Sequence, residues 1–436
     1  MSVISKLTAI FLISLMFYSG VAKAQFSPPE PLDYSKTVIS LMTVGRSTQL
    51  HARMGHSILR IQDFSNNMDY LANWGMFDFR DPLFIPKFMR GGLQYRMAFS
   101  PFDRTISYYR DVEGRSVTED ELDLTDLQKK RLIEKIIWNA RPENIYYSYQ
   151  FFRNNCATKP RDYLDYALNG GLRAQLNIGG SGVSYRDYVW ENMASNIFVG
   201  WILDAAFNGD TDVTLTKWDE LFYPPKLRDH LRNSEAVDDN GQLVTGRKLV
   251  RARRVLVDLP EMDAAWIDGY QVTAMLSGLP MALVLLIFVL GLRRPVSAEL
   301  QSIQFRLFGL VSLWWGLTTG LLGIIHLVAW LFSSHTDLYH NVNLILFWPL
   351  DWIVMIPTFG MMIKGRPFSP TRWLTIGFWQ KFAQFHFASA LVYVVFAHSG
   401  LVHQNSKRVM IYMLPLSLLY YWLMLLFAKD AVKQNH

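Results

Sequence analysis

Five long apolar segments, 271–292, 307–332, 342–363, 373–399 and 409–428, set the frame for everything this chain can become. Each is long enough to cross about 30 Å of hydrocarbon as a helix. A backbone inside lipid must satisfy its own polar groups, which an α-helix does and an irregular segment does not. The expectation is an all-α bundle of about five transmembrane helices. Only 18% of the chain is charged, below the ~25% of an ordinary soluble domain, and the deficit is concentrated here. Residues 25–270 have the mixed composition of a globular domain.

The first 24 residues are expected to be a signal peptide. Lys6 precedes an apolar stretch, and Ala22 and Ala24 form the small-x-small pattern of a cleavage site before Gln25. The expected division is therefore 1–24 signal peptide, 25–268 periplasmic domain and 269–436 membrane domain. With the soluble domain outside, the first span runs inward. Arg293, Arg294 and Arg306 then face the cytoplasm, as do Lys364, Arg366 and Arg372, while 333–341 on the outer side holds no Lys or Arg. Lys407 and Arg408 depart from that rule. The net charge of +6 fits anionic headgroups, and no basic stripe with interleaved aromatics suggests nucleic acid.

Within the soluble part, 37–44 is a β-branched run and 56–62 alternates as a half-buried strand does. Asn66-Asn67 marks a turn before a third strand over 69–79. Further strands are expected at 93–99, 105–109 and 115–122. Thr125-Asp-Leu-Gln128 is a capping box opening a helix, and a second helix runs from about Cys156 to Gly170-Gly171. Pro160 predicts an irregular first turn there. Strands followed by helices make an α+β domain.

Cys156 is the chain's single cysteine. In an oxidising compartment a lone thiol has no intramolecular partner, so it is either packed away or put to use. It lies at a predicted helix start among Arg153, Asn154, Asn155, Thr158 and Lys159, where the helix N-terminus favours a thiolate. His56 heads a strand, so its ring is able to project from the sheet end. Together they form a candidate nucleophile and base. Tyr70, Asn73 and Asp78 are the polar side chains available to orient the base, and Asn73 is favoured. No metal-ligand spacing and no phosphate loop occurs, so no metal and no cofactor is expected. In the membrane part, Asp351, His326, His386 and His398 are candidate functional groups or interhelical hydrogen-bonders. The polar stretch 335–343, with His340 and Asn341, lies on the outer side.

Several ordered motifs resemble the Lnb family. They are Met54-Gly-His56-Ser-Ile-Leu-Arg-Ile, Asn73-Trp-Gly-Met-Phe-Asp78-Phe, Phe88-Met-Arg-Gly91 with Tyr95, Tyr109-Arg-Asp-Val-Glu-Gly-Arg115, Leu122-Asp-Leu-Thr125 and Asn154-Asn-Cys156-Ala-Thr158. Weaker matches are Leu221-Phe-Tyr-Pro224 with Leu227, His340-Asn341-x-Asn343 and Trp348-Pro349-Leu350. The resemblance implies a circularly permuted papain-like periplasmic domain, with the histidine strand ahead of the cysteine helix. It also implies lipoprotein N-acyltransfer at a bacterial inner membrane. Cys156 would carry the acyl group as a thioester, with His56 as base and Asn73 as its orienting partner. A phospholipid would be the acyl donor and the N-terminal amine of a lipoprotein the acceptor. Asn155, Trp74, His340 and Asn341 would contact substrate, and Phe77, Phe79, Phe84 and Phe88 are further aromatics available to guide acyl chains. The alternatives are a periplasmic cysteine hydrolase acting on lipids or amides, and a membrane scaffold or receptor in which Cys156 is structural.

Overall fold

The computed structural model describes residues 28–77, 82–83, 87, 90–193, 197–261, 283, 286–287, 297–366 and 375–434. The expected signal peptide, most of the expected first span, and Asp78, Phe79, Phe84 and Phe88 lie outside them.

β1 (Thr37–Val44), β2 (His56–Asp63) and β3 (Met68–Met76) form a meander that continues into β4 (Gln94–Pro101). Asn67, at φ 49°, makes the turn between β2 and β3. β5 (Val117–Leu122), β6 (Tyr146–Ser148) and β9 (Val250–Val257) complete a seven-stranded antiparallel sheet, ordered β6-β4-β3-β2-β1-β5-β9. β7 (Glu235–Val237) and β8 (Leu243–Lys248) pair separately.

Alternation along the strands sends Ile39, Leu41, Leu59, Ile61, Tyr70, Ala72 and Trp74 to one face, where they form a core with α1 (Asp126–Asn139) and α2 (Thr158–Ala167). Met42, Val44, Ile58 and Leu71 point the other way, into a smaller cluster with Ile106 and Tyr109. The capping box is formed: Thr125 Oγ1 accepts from Gln128 N, and Gln128 Oε1 from Thr125 N. Such a cap is worth about 1 kcal/mol.

One expected strand is a helix. Residues Phe102–Ser107 are α-helical and Tyr108–Val112 a π-helical turn. Thr105 Oγ1 bonds back to the Pro101 carbonyl at 2.9 Å, a local helical contact that its β-branched side chain concealed in the sequence.

The stretch between α2 and β9 supplies α3 (Tyr185–Met193), α4 (Ile197–Ala206) and α5 (Pro224–Asn233). α4 belongs by packing to the membrane half: Trp201 and Ala205 sit in the same apolar cluster as Phe308, Trp315, Tyr412 and Leu416.

That half comprises α6 (Ala298–Phe332), α7 (Met355–Lys364), α8 (Ile376–His398) and α9 (Lys407–Gln434). Two helices, α6 and residues Lys407–Leu425 of α9, are long and apolar enough to cross a membrane. The pair Thr336–Ile345 and Pro349–Lys364 makes a third if its 52° bend lies within one span. Five spans were expected, and two or three are found among the described residues. The third expected span is broken because Pro349 opens a 3-10 stretch, Pro349–Val354, instead of continuing a helix.

Candidate active site

The site forms where the end of the sheet meets the start of α2. Gly55 turns the chain into β2 at φ 81°, and a Cβ there would sit 2.9 Å from the Val44 carbonyl oxygen. Only glycine takes both constraints. His56 follows as the first residue of β2, its backbone paired with Val44. Two residues on, Ile58 pairs with Asn73 of β3, which puts Asn73 on the same side of the sheet as His56. His56 Nε2 lies 2.7 Å from Asn73 Oδ1. A carbonyl oxygen accepts, so Nε2 carries the proton and Nδ1 is left as the basic nitrogen.

Cys156 occupies the turn before α2, which packs on the opposite face. Asn155 builds that turn. Its Oδ1 accepts from Ala157 N and Thr158 N, both at 2.9 Å, and its Nδ2 donates to the carbonyls of Phe151 (2.8 Å) and Phe222 (2.9 Å). Thr158 Oγ1 accepts from Asn155 N at 2.7 Å. Pro160 is harmless at the third helical position, where its absent N–H would have had no intrahelical partner.

Gly75 joins the two faces. β3 shifts register between Trp74 and Met76, and Gly75 sits in the irregularity at φ 99°. A Cβ built there would lie 3.6 Å from Cys156 Cβ and 3.8 Å from His56 Cε1. The bare glycine is thus a window through the sheet edge at which thiol and imidazole approach the same point.

Both groups favour their neutral forms. Burial lowers the His56 pKa to about 4 against the opposing help of the Asn73 bond, with the nearby Arg115 charge adding to the fall. Burial pushes the Cys156 thiol up to about 11, while the backbone N–H groups of Ser57, Cys156 and Ala157 and the charge of Arg115 pull it back. Between those values the pair rests as thiol and neutral imidazole. A thiol and a neutral imidazole so placed are able to exchange a proton, and they hold no standing ion pair.

The aromatic wall of the site was not foreseen. Tyr95 stacks on Tyr149 at 4.3 Å and meets Phe77 at 4.9 Å and Tyr147 at 6.3 Å. Burial raises the pKa of Tyr95, Tyr147 and Tyr149, and a thiolate on Cys156 would raise all three further. The run Tyr146-Tyr147-Ser148-Tyr149, just upstream of Cys156, was the available signal. Arg115 was also missed. It is buried, donating Nε to the Gly45 carbonyl at 2.7 Å and Nη1 to Glu113 at 2.7 Å.

Other expected substrate contacts are placed elsewhere. Trp74 is fully buried, donates to Asn139 Oδ1 at 2.8 Å and packs edge-on against Tyr163, so it serves the core. Asn155 has its side chain committed to the cysteine turn. Asn341 donates to the carbonyls of Ala205 (3.0 Å) and Ala206 (2.7 Å), and Asn343 to that of Ala205 (2.8 Å). These are the carbonyls that the end of α4 leaves unpaired. The polar outer stretch is therefore a helix cap supplied from a distance. His340 is exposed and rests against Trp330 at 5.3 Å. Tyr70, an alternative orienting group, lies in the core.

The thiol turn is tied to the membrane half. Arg153 Nη1 donates to Thr336 Oγ1 at 3.2 Å, and Ser334 N and Oγ donate to the Arg90 and Gly91 carbonyls at 2.8 and 3.0 Å. Phe151 and Phe152 pack in one aromatic cluster with Phe207, Phe222 and Leu338.

No curated protein and no solved structure matches the chain. The model of the Lnb N-terminal periplasmic domain matches residues 29–191, a span holding β1 to β6, His56, Asn73, Cys156 and most of α3. Over that stretch the chain is similar to the Lnb N-terminal periplasmic domain, and the apolar helices that follow suit a membrane protein carrying such a domain.

Proposed function

We propose that the protein is a thiol acyltransferase of the bacterial inner membrane, moving a fatty acyl group from a phospholipid through a Cys156 thioester to the N-terminal amine of a lipoprotein. The observation that carries this reading is the meeting of Cys156 and His56 over Gly75, with the histidine proton held by Asn73. The order of the parts, histidine strand before cysteine helix, is that of a circularly permuted papain-like domain.

His56 Nδ1 takes the thiol proton as Sγ attacks the ester carbonyl of the donor. The carbon–oxygen bond breaks, the proton passes to the departing lipid alcohol, and the acyl group remains on sulfur. The acceptor amine then attacks the thioester, His56 takes its proton, the carbon–sulfur bond breaks and Sγ regains a proton. Splitting ester aminolysis this way replaces one difficult step by two easier ones. The contacts of the thiol turn with Thr336 and Leu338, beside those of Arg90 and Gly91 with Ser334, favour a lipid substrate, since they hold the nucleophile against the membrane half.

The test is intact mass of the full chain after incubation with phospholipid vesicles, with and without hydroxylamine, beside Cys156→Ala. A hydroxylamine-labile acyl adduct on wild type alone is expected, with transfer to a synthetic lipopeptide bearing a free α-amine. Release of free fatty acid without transfer would make the protein a hydrolase. No adduct on folded protein would sink the enzyme reading in favour of a scaffold.

A further inference from the structure

Tyr147 is the middle residue of β6 and faces Tyr95 across the β4–β6 pair. Its ring is pinned between Tyr95 and the Lys159 ammonium, which lies 4.5 Å from the ring centroid. Lys159 belongs to the first turn of α2, three residues beyond the thiol. The Tyr147 hydroxyl is buried, and among the described residues its hydrogen finds no acceptor. Folded proteins seldom leave such a group unsatisfied, and the exceptions concentrate where a donor is kept for something else. The backbone group acting on the phenol oxygen is the N–H of Gly75, and Cys156 acts on it as well. The ring's seat between Tyr95 of β4 and Lys159 of the first turn of α2, together with these influences, turns the hydroxyl toward the side of the site where thiol and imidazole meet. Burial holds its pKa well above that of an ordinary phenol, so it stays a neutral donor. A cation over the ring face draws electron density from the oxygen and makes its hydrogen a better donor.

We propose that Tyr147 is a catalytic residue whose hydroxyl, together with the Cys156 backbone N–H, donates to the oxyanion of the tetrahedral intermediates that form and collapse on Sγ. This rests on the acyl-transfer reading. A preorganised donor of this kind acts only when the carbonyl oxygen becomes negative, which is why its hydrogen has no acceptor at rest.

Tyr147→Phe keeps the ring and removes the oxygen. Acyl-adduct formation on Cys156 is expected to slow about a hundredfold to a thousandfold. Alkylation of Cys156 by iodoacetamide, a displacement with no oxyanion, is expected to stay within about twofold. Loss of an unsatisfied hydroxyl is expected to leave the thermal midpoint unchanged or raised, whereas a structural hydroxyl would lower it. Unchanged acylation in the variant overturns the proposal. So does an equal fall in acylation and alkylation, which would assign Tyr147 to the resting thiol. If wild type alkylates normally but never acylates, the acyltransferase reading itself fails and this proposal falls with it.

Discussion

At the scale of single residues, the imidazole of His56 and the thiol of Cys156 are each moved from their ordinary pKa by burial, in opposite directions. His56 is protonated only below about pH 4 and Cys156 deprotonated only above about pH 11. Across the range between them the thiolate fraction grows tenfold with each pH unit. The rate of Cys156 alkylation in the full chain is therefore expected to rise about tenfold per unit from pH 6 to 9.5. A plateau across neutral pH would instead reveal a standing thiolate–imidazolium pair, as low-pKa cysteines show. Asn73 holds the ring by a neutral bond. In Asn73→Asp a carboxylate replaces the amide, and an adjacent opposite charge raises a histidine pKa by about one to three units. NMR titration of the His56 ring is expected to move upward accordingly. No movement would place Asn73 outside the charge environment of the base.

At the scale of elements, the site depends on one irregularity in β3. His56 and Asn73 share the face of Ile58 and Leu71, while α2 packs on the face of Ala72 and Trp74. A regular strand would leave a side chain between the two. Gly75 removes it and bends the backbone at φ 99°. Gly75→Ala puts a methyl group in ordinary contact with both Cys156 Cβ and His56 Cε1, and it strains the backbone. It is expected to cost more than about 1 kcal/mol in stability. Adduct formation should fall much further than that loss explains, which a comparison of denaturant midpoint with acylation rate will show. Parallel losses would mean that Gly75 serves the fold alone. Much at this scale was legible in advance. β1, β2, the Asn67 turn and the capping box all follow from alternation and local hydrogen bonding, which act between near neighbours. The 105–109 segment was not legible, because a β-branched threonine bonding its own turn looks like a strand residue.

At the scale of the whole molecule, the soluble and membrane halves are joined by a buried charge cluster. Asp204 on α4 meets Arg186 of α3 at 3.3 Å and Arg408 of α9 at 3.1 Å, and Arg186 meets Asp212 at 2.6 Å. Arg186 also donates to the Phe207 and Asn208 carbonyls at 2.9 and 3.0 Å, and Asp212 accepts from Asn405 N at 2.8 Å. This accounts for Arg408, whose outward position broke the expected charge rule: it is consumed as a partner of α4. Removing one member of such a cluster leaves a buried charge unmatched, typically a loss of about 3–5 kcal/mol. Asp204→Ala is expected to lower the thermal midpoint in detergent and to expose the α3–α4 region to limited proteolysis. Retention of the wild-type midpoint would show that the halves are held by apolar packing alone.

The sequence by itself determined a membrane-anchored chain with an α+β outer domain, and it singled out His56, Asn73 and Cys156. Apolar length, strand alternation and the rarity of the residue types are properties of the chain read in order. Only the tertiary structure decided that Asn155 and Asn341 spend their side chains on backbone, that Trp74 belongs to the core, and that Tyr147 and Arg115 stand beside the thiol. The reason is physical. Whether a polar side chain is free to act depends on which backbone groups lie unsatisfied around it, and those arrive from distant parts of the chain. Gly75 does not stand out in sequence, and its role exists only once two faces of a sheet must meet.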